Sequence, residues 1–430
     1  MSPRPTPAQQ RWQKWEIGAL FSFDLTTYRE DGADHCRDHP LMDPEVFRPD
    51  ALDTDQWLEV ASAAGVRYAL LTASHESGFM NWQSDLYPYG LRHISWRQGR
   101  ADLVQSFIES CRRFGIAPGL FIGLRNNTYL GARDYQIPNG TVRDQANYRR
   151  ICESQVEELC SRYGPLAEIW IEGGADSPEE GGPDILPIVE HYQPDTVFYH
   201  SPQRADHRWV GNERGIAGDP CWATMPTPGG RLAHAHPAYR NILPTGDPDA
   251  PLWCPAMCDV PLRDHAWFWH PGQDHLLRPL DSLLTIHEQS VGRNAVLTLG
   301  LAPDSSGLLP EADCRLLRSF GRAVQKRYGS PLARTVGNGP VWSLEFSSPR
   351  LVRAAVFQED IAGGERVRAW RLLARSASST RELARGTSIG SKRIQSFHPL
   401  SCDSLHLEID HWIGDPPNLT FEAFPPEEDA

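Results

Sequence analysis

The feature that most constrains this chain is an alternation of short, unbroken apolar runs with stretches of helical spacing. Six runs read as strands: Ile17–Phe23, Tyr68–Thr72, Gly119–Ile122, Glu168–Ile171, Thr196–Tyr199 and Asn294–Leu301. A strand with one wet face alternates polar and apolar residues, so continuous runs fit a parallel sheet covered on both sides. Thr54–Ala64, Arg100–Phe114, Tyr148–Tyr163 and Leu280–Ser290 each precede one of these runs. Within Arg100–Phe114, Leu103, Phe107 and Cys111 recur at helical spacing, and Pro279 stands at the start of the last stretch. Helix and strand joined by short connections is the rhythm of βα units. A barrel of eight such units takes roughly 250 residues, and residues 12 to about 330 supply them. The expected fold is therefore a (β/α)8 TIM barrel. The stretch 202–270, irregular and rich in Trp, His and Pro, is expected to carry long loops over its active face.

The pattern changes after about Tyr328. Leu351–Phe357, Val367–Leu373, Ile394–Phe397 and Ser404–Ile409 are short, partly alternating and separated by Gly- and Ser-rich turns. They read as a β-sandwich. The chain of 430 residues exceeds one ordinary core, and divides into a catalytic barrel over 1–335 and a β-sandwich over 336–430. There is no internal repeat.

A net charge of −13 argues against nucleic acid as a partner, because broad binding of a polyanion needs a basic surface. The nine cysteines show no CxxC or Cys/His metal spacing; the closest pair is Cys254 and Cys258. They read as reduced, mostly buried thiols, which favours a reducing compartment. Met1–Gln10 lacks the apolar core of a signal peptide, and no apolar run approaches the ~20 residues of a membrane span. A cytoplasmic protein without membrane contact is expected, and no pattern specifies an oligomeric state. The 14 Trp and 12 Tyr suit either a large core or a sugar cleft, where rings stack on pyranose faces.

In such a barrel the functional groups sit at the C-terminal ends of the strands. The polar residues there are Asp24; then Ser74, His75 and Glu76; then Arg125, Asn126 and Asn127; then Glu172; and His200. Glu172 is followed by Gly173 and Gly174, which allow a sharp turn beside a ligand. Glu213 lies between Arg208 and Arg214, and on pattern alone reads as a surface ion pair. His75 alone reads as a structural histidine. His234 and His236 lack a third ligand and no HExxH is present, so neither a metal nor an organic cofactor is expected.

Several blocks together resemble glycoside hydrolase family 29, the α-L-fucosidases, and particularly its plant-type α-1,3/1,4 branch. They are Leu71-Thr72-Ala73-Ser74-His75-Glu76-Ser77-Gly78-Phe79 with Trp82 after it, and Glu168-Ile169-Trp170-Ile171-Glu172-Gly173. Then come Arg208-Trp209-Val210-Gly211-Asn212-Glu213, and Cys258-Asp259-Val260 leading to Trp267-Phe268-Trp269-His270. The last is Ser290-Val291-Gly292-Arg293-Asn294, leading to Pro303-Asp304-Ser305-Ser306-Gly307. The resemblance implies a retaining glycosidase with its nucleophile at Glu172 and its acid/base at Glu213.

The chain departs from the family's pattern at the strand ends. The family nucleophile is Asp, whereas position 172 holds Glu. Family histidines that help hold fucose are replaced by Ser22 and Glu76, and near the third strand Arg125 takes the place of an expected Trp. The late Leu-Leu-Asn motif becomes Thr298-Leu299-Gly300. Scaffold blocks match while glycone positions do not, so a pocket for a non-standard glycoside or sugar conjugate is expected. Its candidate contacts are Ser22, Asp24, His75, Glu76, Trp82, Arg125, Trp170 and Trp269. With Asp24, Glu76 and Glu172 adding acid, a cationic amino sugar fits; Arg125 could instead neutralise one of these acids. The competing readings are an ordinary α-L-fucosidase, an inactive carbohydrate-binding barrel, and a non-hydrolytic enzyme of a small-molecule pathway.

Overall fold

A computed structural model describes residues 3–36, 38–227, 241–377 and 379–427. Its first sheet contains eight strands: β1 (Ile17–Phe21), β2 (Tyr68–Ser74), β3 (Ala117–Ile122), β4 (Glu168–Ile171), β5 (Val197–Tyr199), β6 (Arg208–Trp209), β7 (Ala256–Pro261) and β8 (Ala295–Leu301). Every pairing is parallel, in the order β5-β4-β3-β2-β1-β8-β7-β6. The strands thus follow one another around a ring. Between β5 and β6 one main-chain hydrogen bond, Asp206 N–H to Phe198 O at 2.9 Å, spans the gap. The result is a nearly closed (β/α) barrel.

The helices are α1 (Pro7–Trp15), α2 (Thr54–Ala63), α3 (Leu103–Arg113), α4 (Val142–Arg162), α5 (Leu186–Tyr192), α6 (Leu280–Ser290) and α7 (Glu311–Tyr328). In α3 the buried stripe is Leu103, Val104, Phe107, Ile108 and Cys111. Each large apolar side chain so buried contributes roughly 1.5–3 kcal/mol. Asp102 caps this helix by accepting from Gln105 N–H, and Asp53 does the same for α2. Inside the barrel, Leu20, Tyr68, Leu70, Phe121, Trp170, Met257 and Val296 form a separate core. Helix α1 joins it through Trp12, whose indole N–H donates to Glu168 Oε2 at 2.8 Å and whose ring stacks on His207. Glu168, the one acid within the β4 run, is thereby satisfied.

The stretch 202–270 differs from its expected all-loop character. It holds β6 and β7, paired side by side, and a two-stranded ribbon of Thr224–Met225 with Leu252–Trp253. Two residues are too few for β6 to show a periodicity, and Asp259 and Pro261 interrupt the apolar run of β7. Helix α4 also begins earlier than expected, at a Thr141–Asp144 capping box.

The C-terminal strands are β9 (Ala333–Asn338), β10 (Val341–Glu359), β11 (Val367–Ser376), β12 (Ser379–Gly386), β13 (Arg393–Trp412) and β14 (Asn418–Phe424). They form one antiparallel sheet in the order β9-β14-β10-β13-β11-β12. The pairing of the long strands β10 and β13 shifts register between Glu345 and Arg350 and again between Val352 and Ala354. Such bulges bend strands, and the sheet gathers over a core that includes Trp342, Phe357, Trp370, Leu405 and Phe421. The segments Ile394–Phe397 and Ser404–Ile409 are parts of one strand, β13. All nine cysteines are unpaired and buried. No helix among the described residues is long and apolar enough to cross a membrane.

Candidate active site

A cavity of about 600 Å³ opens at the C-terminal ends of the barrel strands. Strands β1 to β7 contribute in turn: Leu20 and Ser22 from β1, Thr72 and His75 from β2, Phe121 and Arg125 from β3 and its loop, Trp170, Glu172 and Gly173 from β4 and its turn. Tyr199 follows from β5, Trp209 and Glu213 from β6 and its loop, and Asp259 from β7. His35 enters from the loop after β1, and Trp267 and Phe268 from the loop after β7. Phe121, Trp170 and Tyr199 form an aromatic chain with centroid spacings of 5.4 and 5.5 Å.

Glu172 is the first residue past β4, and its N–H still donates to Ile122 O at 3.0 Å. The chain then turns through Gly173 and Gly174 at φ of 62° and 78°. A Cβ at position 174 would lie 2.5 Å from the His200 ring, so glycine is required there. The Glu172 carboxylate has Oε1 at 3.9 Å from His75 Nε2, and Oε2 has no hydrogen-bond partner among the described residues. Burial pushes this carboxyl above the usual range; His75, His35 and Arg125 pull it back, and Glu76 adds to the rise. Gly123 makes the room: a Cβ there would lie 3.0 Å from Glu172 Oε2 and 2.9 Å from His75 Cα.

Glu213 is exposed, on the loop leaving β6. Arg208 does not flank it as the sequence pattern suggested. That guanidinium is buried, donating to Leu243 O at 2.8 Å and Cys254 O at 2.6 Å. The loop is tied to β7 by Val210 N–H to Met257 O at 3.1 Å and Gly215 N–H to Asp259 O at 3.0 Å.

Of the expected contacts, Ser22, His75, Arg125 and Trp170 line the cavity, and Asp24, Glu76, Trp82 and Trp269 do not. Asp24 is fully buried and caps the short helix Leu25–Tyr28, accepting from Thr26 N–H at 2.6 Å and Ser77 Oγ at 3.2 Å. Glu76 accepts from Cys36 N–H at 3.2 Å and Asn126 Nδ2 at 3.1 Å, holding two loops together. Trp82 is fully buried, its indole N–H on Glu158 Oε2 at 2.8 Å. Arg125 donates to Asp134 Oδ1 at 2.6 Å. Of the acids that favoured a cationic ligand, Asp24 and Glu76 are thus engaged in holding loops; Arg125 pairs with Asp134, and its charge also pulls the Glu172 carboxyl down, in line with the alternative that it offsets one of these acids.

Sequence reasoning missed several lining groups, Asp259 above all. Asp259 Oδ1 accepts the Trp209 indole N–H at 2.7 Å. Burial pushes its carboxyl up to about 8, with the neighbouring Glu213 adding to the rise. It lies inside the block Cys258-Asp259-Val260, on a strand whose sequence, within the irregular stretch 202–270, reads as loop. Trp267 and Phe268 precede the expected Trp269, and are fixed by Asp34, which accepts their N–H groups at 2.8 and 3.4 Å. Among the described residues no group of three or more His, Cys, Asp or Glu could hold a metal ion. His234 and His236 lie outside the described residues.

Comparison with known proteins gives a consistent picture. The sequence model for "Alpha-L-fucosidase" matches residues 8–329. Alpha-L-fucosidase 1 of Arabidopsis thaliana is 27% identical over 96% of this chain and 86% of its own length. A candidate α-L-fucosidase from Bacteroides thetaiotaomicron, known from its crystal structure, is 40% identical with a TM-score of 0.95, covering 99% of each chain. A Ruminococcus gnavus fucosidase of glycoside hydrolase family 29, solved in complex with fucose, shares the fold. Its TM-score is 0.85 at 18% identity, over 98% of this chain and 95% of that one.

Proposed function

Because the chain belongs to the α-L-fucosidase family and is a glycosidase, we propose that it is a retaining enzyme with Glu172 as nucleophile and Glu213 as acid/base, acting on a glycone other than L-fucose. The observation that carries this reading is that Glu172 and Glu213 line one aromatic-walled cavity together with Ser22, at a place where the resemblance implies a family histidine. His75 remains beside the nucleophile.

The chemistry follows from the two carboxyls. The Glu172 carboxylate attacks the anomeric carbon while Glu213 gives its proton to the departing glycosidic oxygen. The C–O bond breaks and a glycosyl ester of Glu172 forms. Glu213, now a carboxylate, takes a proton from water as that water displaces Glu172. Two displacements return the original anomeric configuration. A misplacement of about 1 Å in such a site costs about a hundredfold, so the extra methylene of Glu172 needs compensation. The space at Gly123 supports that compensation, since the longer side chain packs where any other residue would place a Cβ. The aromatic walls supply apolar faces for a pyranose or for an apolar aglycone. Similarity to the Arabidopsis protein along nearly the whole chain supports placement in the plant-type branch.

A panel of p-nitrophenyl glycosides that includes α-L-fucoside tests the proposal, with the anomer first released followed by proton NMR. Turnover is expected on at least one member, with retention and with α-L-fucoside not the best. A clear preference for α-L-fucoside would return the protein to ordinary fucosidase activity. Release of the inverted anomer would remove the nucleophilic role of Glu172. Silence across the panel, with ligand still bound, would favour the inactive barrel.

A further inference from the structure

We propose that Asp259 is a positioning residue for the acid/base, holding the Glu213 loop in place at the cavity. The inference rests on the role proposed for Glu213 and deepens it.

The geometry is a double grip on one loop. Before Glu213, the Asp259 side chain accepts the indole N–H of Trp209 at 2.7 Å. After Glu213, the Asp259 carbonyl accepts Gly215 N–H at 3.0 Å. Gly215 has φ +70°, and a Cβ there would lie 2.6 Å from Ile286 Cγ2 and 3.1 Å from Val260 Cγ1, so the loop is seated hard against β7. Asp259, Trp209 and Glu213 all line the one cavity. A movement of Asp259 therefore moves the acid/base relative to Glu172.

The surroundings decide the charge. The titratable groups that interact with Asp259 are Glu213 from the loop after β6, Tyr199 at the end of β5, Tyr68 from β2 and Cys258 on its own strand. None is a cation. A buried carboxylate without a positive partner is costly, so the group keeps its proton instead. Its rise to about 8, caused first by burial, agrees with this.

The test uses the p-nitrophenyl glycoside selected above and the methyl glycoside of the same sugar. Asp259→Asn keeps an acceptor for Trp209 and is expected to hold the loop. Asp259→Ala loses the grip on Trp209, and its kcat is expected to fall at least tenfold on the methyl glycoside, which needs leaving-group protonation. The fall on the nitrophenyl glycoside should be much smaller, and Asp259→Asn should recover most of the loss at pH 6. Equal falls on the two glycosides, or no recovery in Asp259→Asn, would overturn the proposal; if Asp259→Ala does not fold, Trp209→Phe, which removes the same hydrogen bond, takes its place with the same expectation. Glu213→Gln separates the two failures. If that variant shows no dependence on leaving group, the acid/base reading itself is wrong; if it does and Asp259→Ala changes nothing, only the present inference falls.

Discussion

On the proposed reading Glu172 is one methylene longer than the Asp that the resemblance implies at its place, and the groups around it show where that length fits. Gly123 contributes no Cβ where one would meet Glu172 Oε2 at 3.0 Å. Gly123→Ala is expected to displace the carboxylate and lower kcat by at least tenfold; unchanged kcat would show that the side chain does not depend on that space. Proton affinity gives a second prediction. Glu172 must be ionised to attack, burial raises its pKa, and His75 opposes the rise. Activity is therefore lost as pH falls through that raised value, above the usual carboxylate range. In His75→Gln the opposing group is gone, so the acid limb of kcat/KM should move to still higher pH. A limb that stays or moves down would contradict this. At this scale the sequence was legible where functional groups follow strand ends: Ser22, His75, Arg125, Trp170 and the two acids proposed as catalytic, Glu172 and Glu213, reach the cavity. It misled at Asp24 and Glu76, because a carboxylate next to a strand end can also serve as a cap or a loop tie. Only the hydrogen-bond partners separate those uses.

Among the elements, legibility followed the length of the apolar run. Strands β1 to β5 and β8 announced themselves, because unbroken apolar residues buried on both faces leave a strong local signal. Strand β6, two residues long, leaves none, and β7 carries a buried acid and a proline within its span. Asp259 was hidden for that reason alone. The same region shows how loops shape the pocket. Asp34, from the loop after β1, accepts from Trp267 and Phe268 N–H and lies 3.4 Å from His270 Nε2, joining two loops across the cavity mouth. Removing it in Asp34→Ala should loosen the aromatic wall and raise KM by about tenfold, more than it lowers kcat. Steady-state kinetics on the selected glycoside would show the split. A fall confined to kcat would mean that the wall serves the reacting groups rather than ligand binding.

In the whole molecule, the barrel and the C-terminal sheet are joined by buried polar contacts. Arg393 of β13 makes a two-pronged contact with Asp219 at 2.7 and 2.9 Å and lies over the Trp370 ring. Glu365 accepts from Ala223 N–H at 2.9 Å and from Asn294. Arg393 is buried while Asp219 is part-exposed, so Asp219→Ala should cost about 1–2 kcal/mol, between the values for surface and buried pairs. A urea unfolding midpoint would report it, and no shift would show that water replaces Asp219 freely. Asp219 holds its proton less tightly than an ordinary Asp. The stability it gives is present above the usual Asp value and lost as pH falls through its lowered one. A division of labour follows, with the sheet bracing the barrel and the barrel carrying the chemistry. The most direct test of that chemistry is azide rescue of Glu172→Ala on the selected aryl glycoside. The account predicts little turnover without azide and, with it, a glycosyl azide of configuration opposite to the substrate's. A glycosyl azide of unchanged configuration, or full turnover without azide, would contradict it.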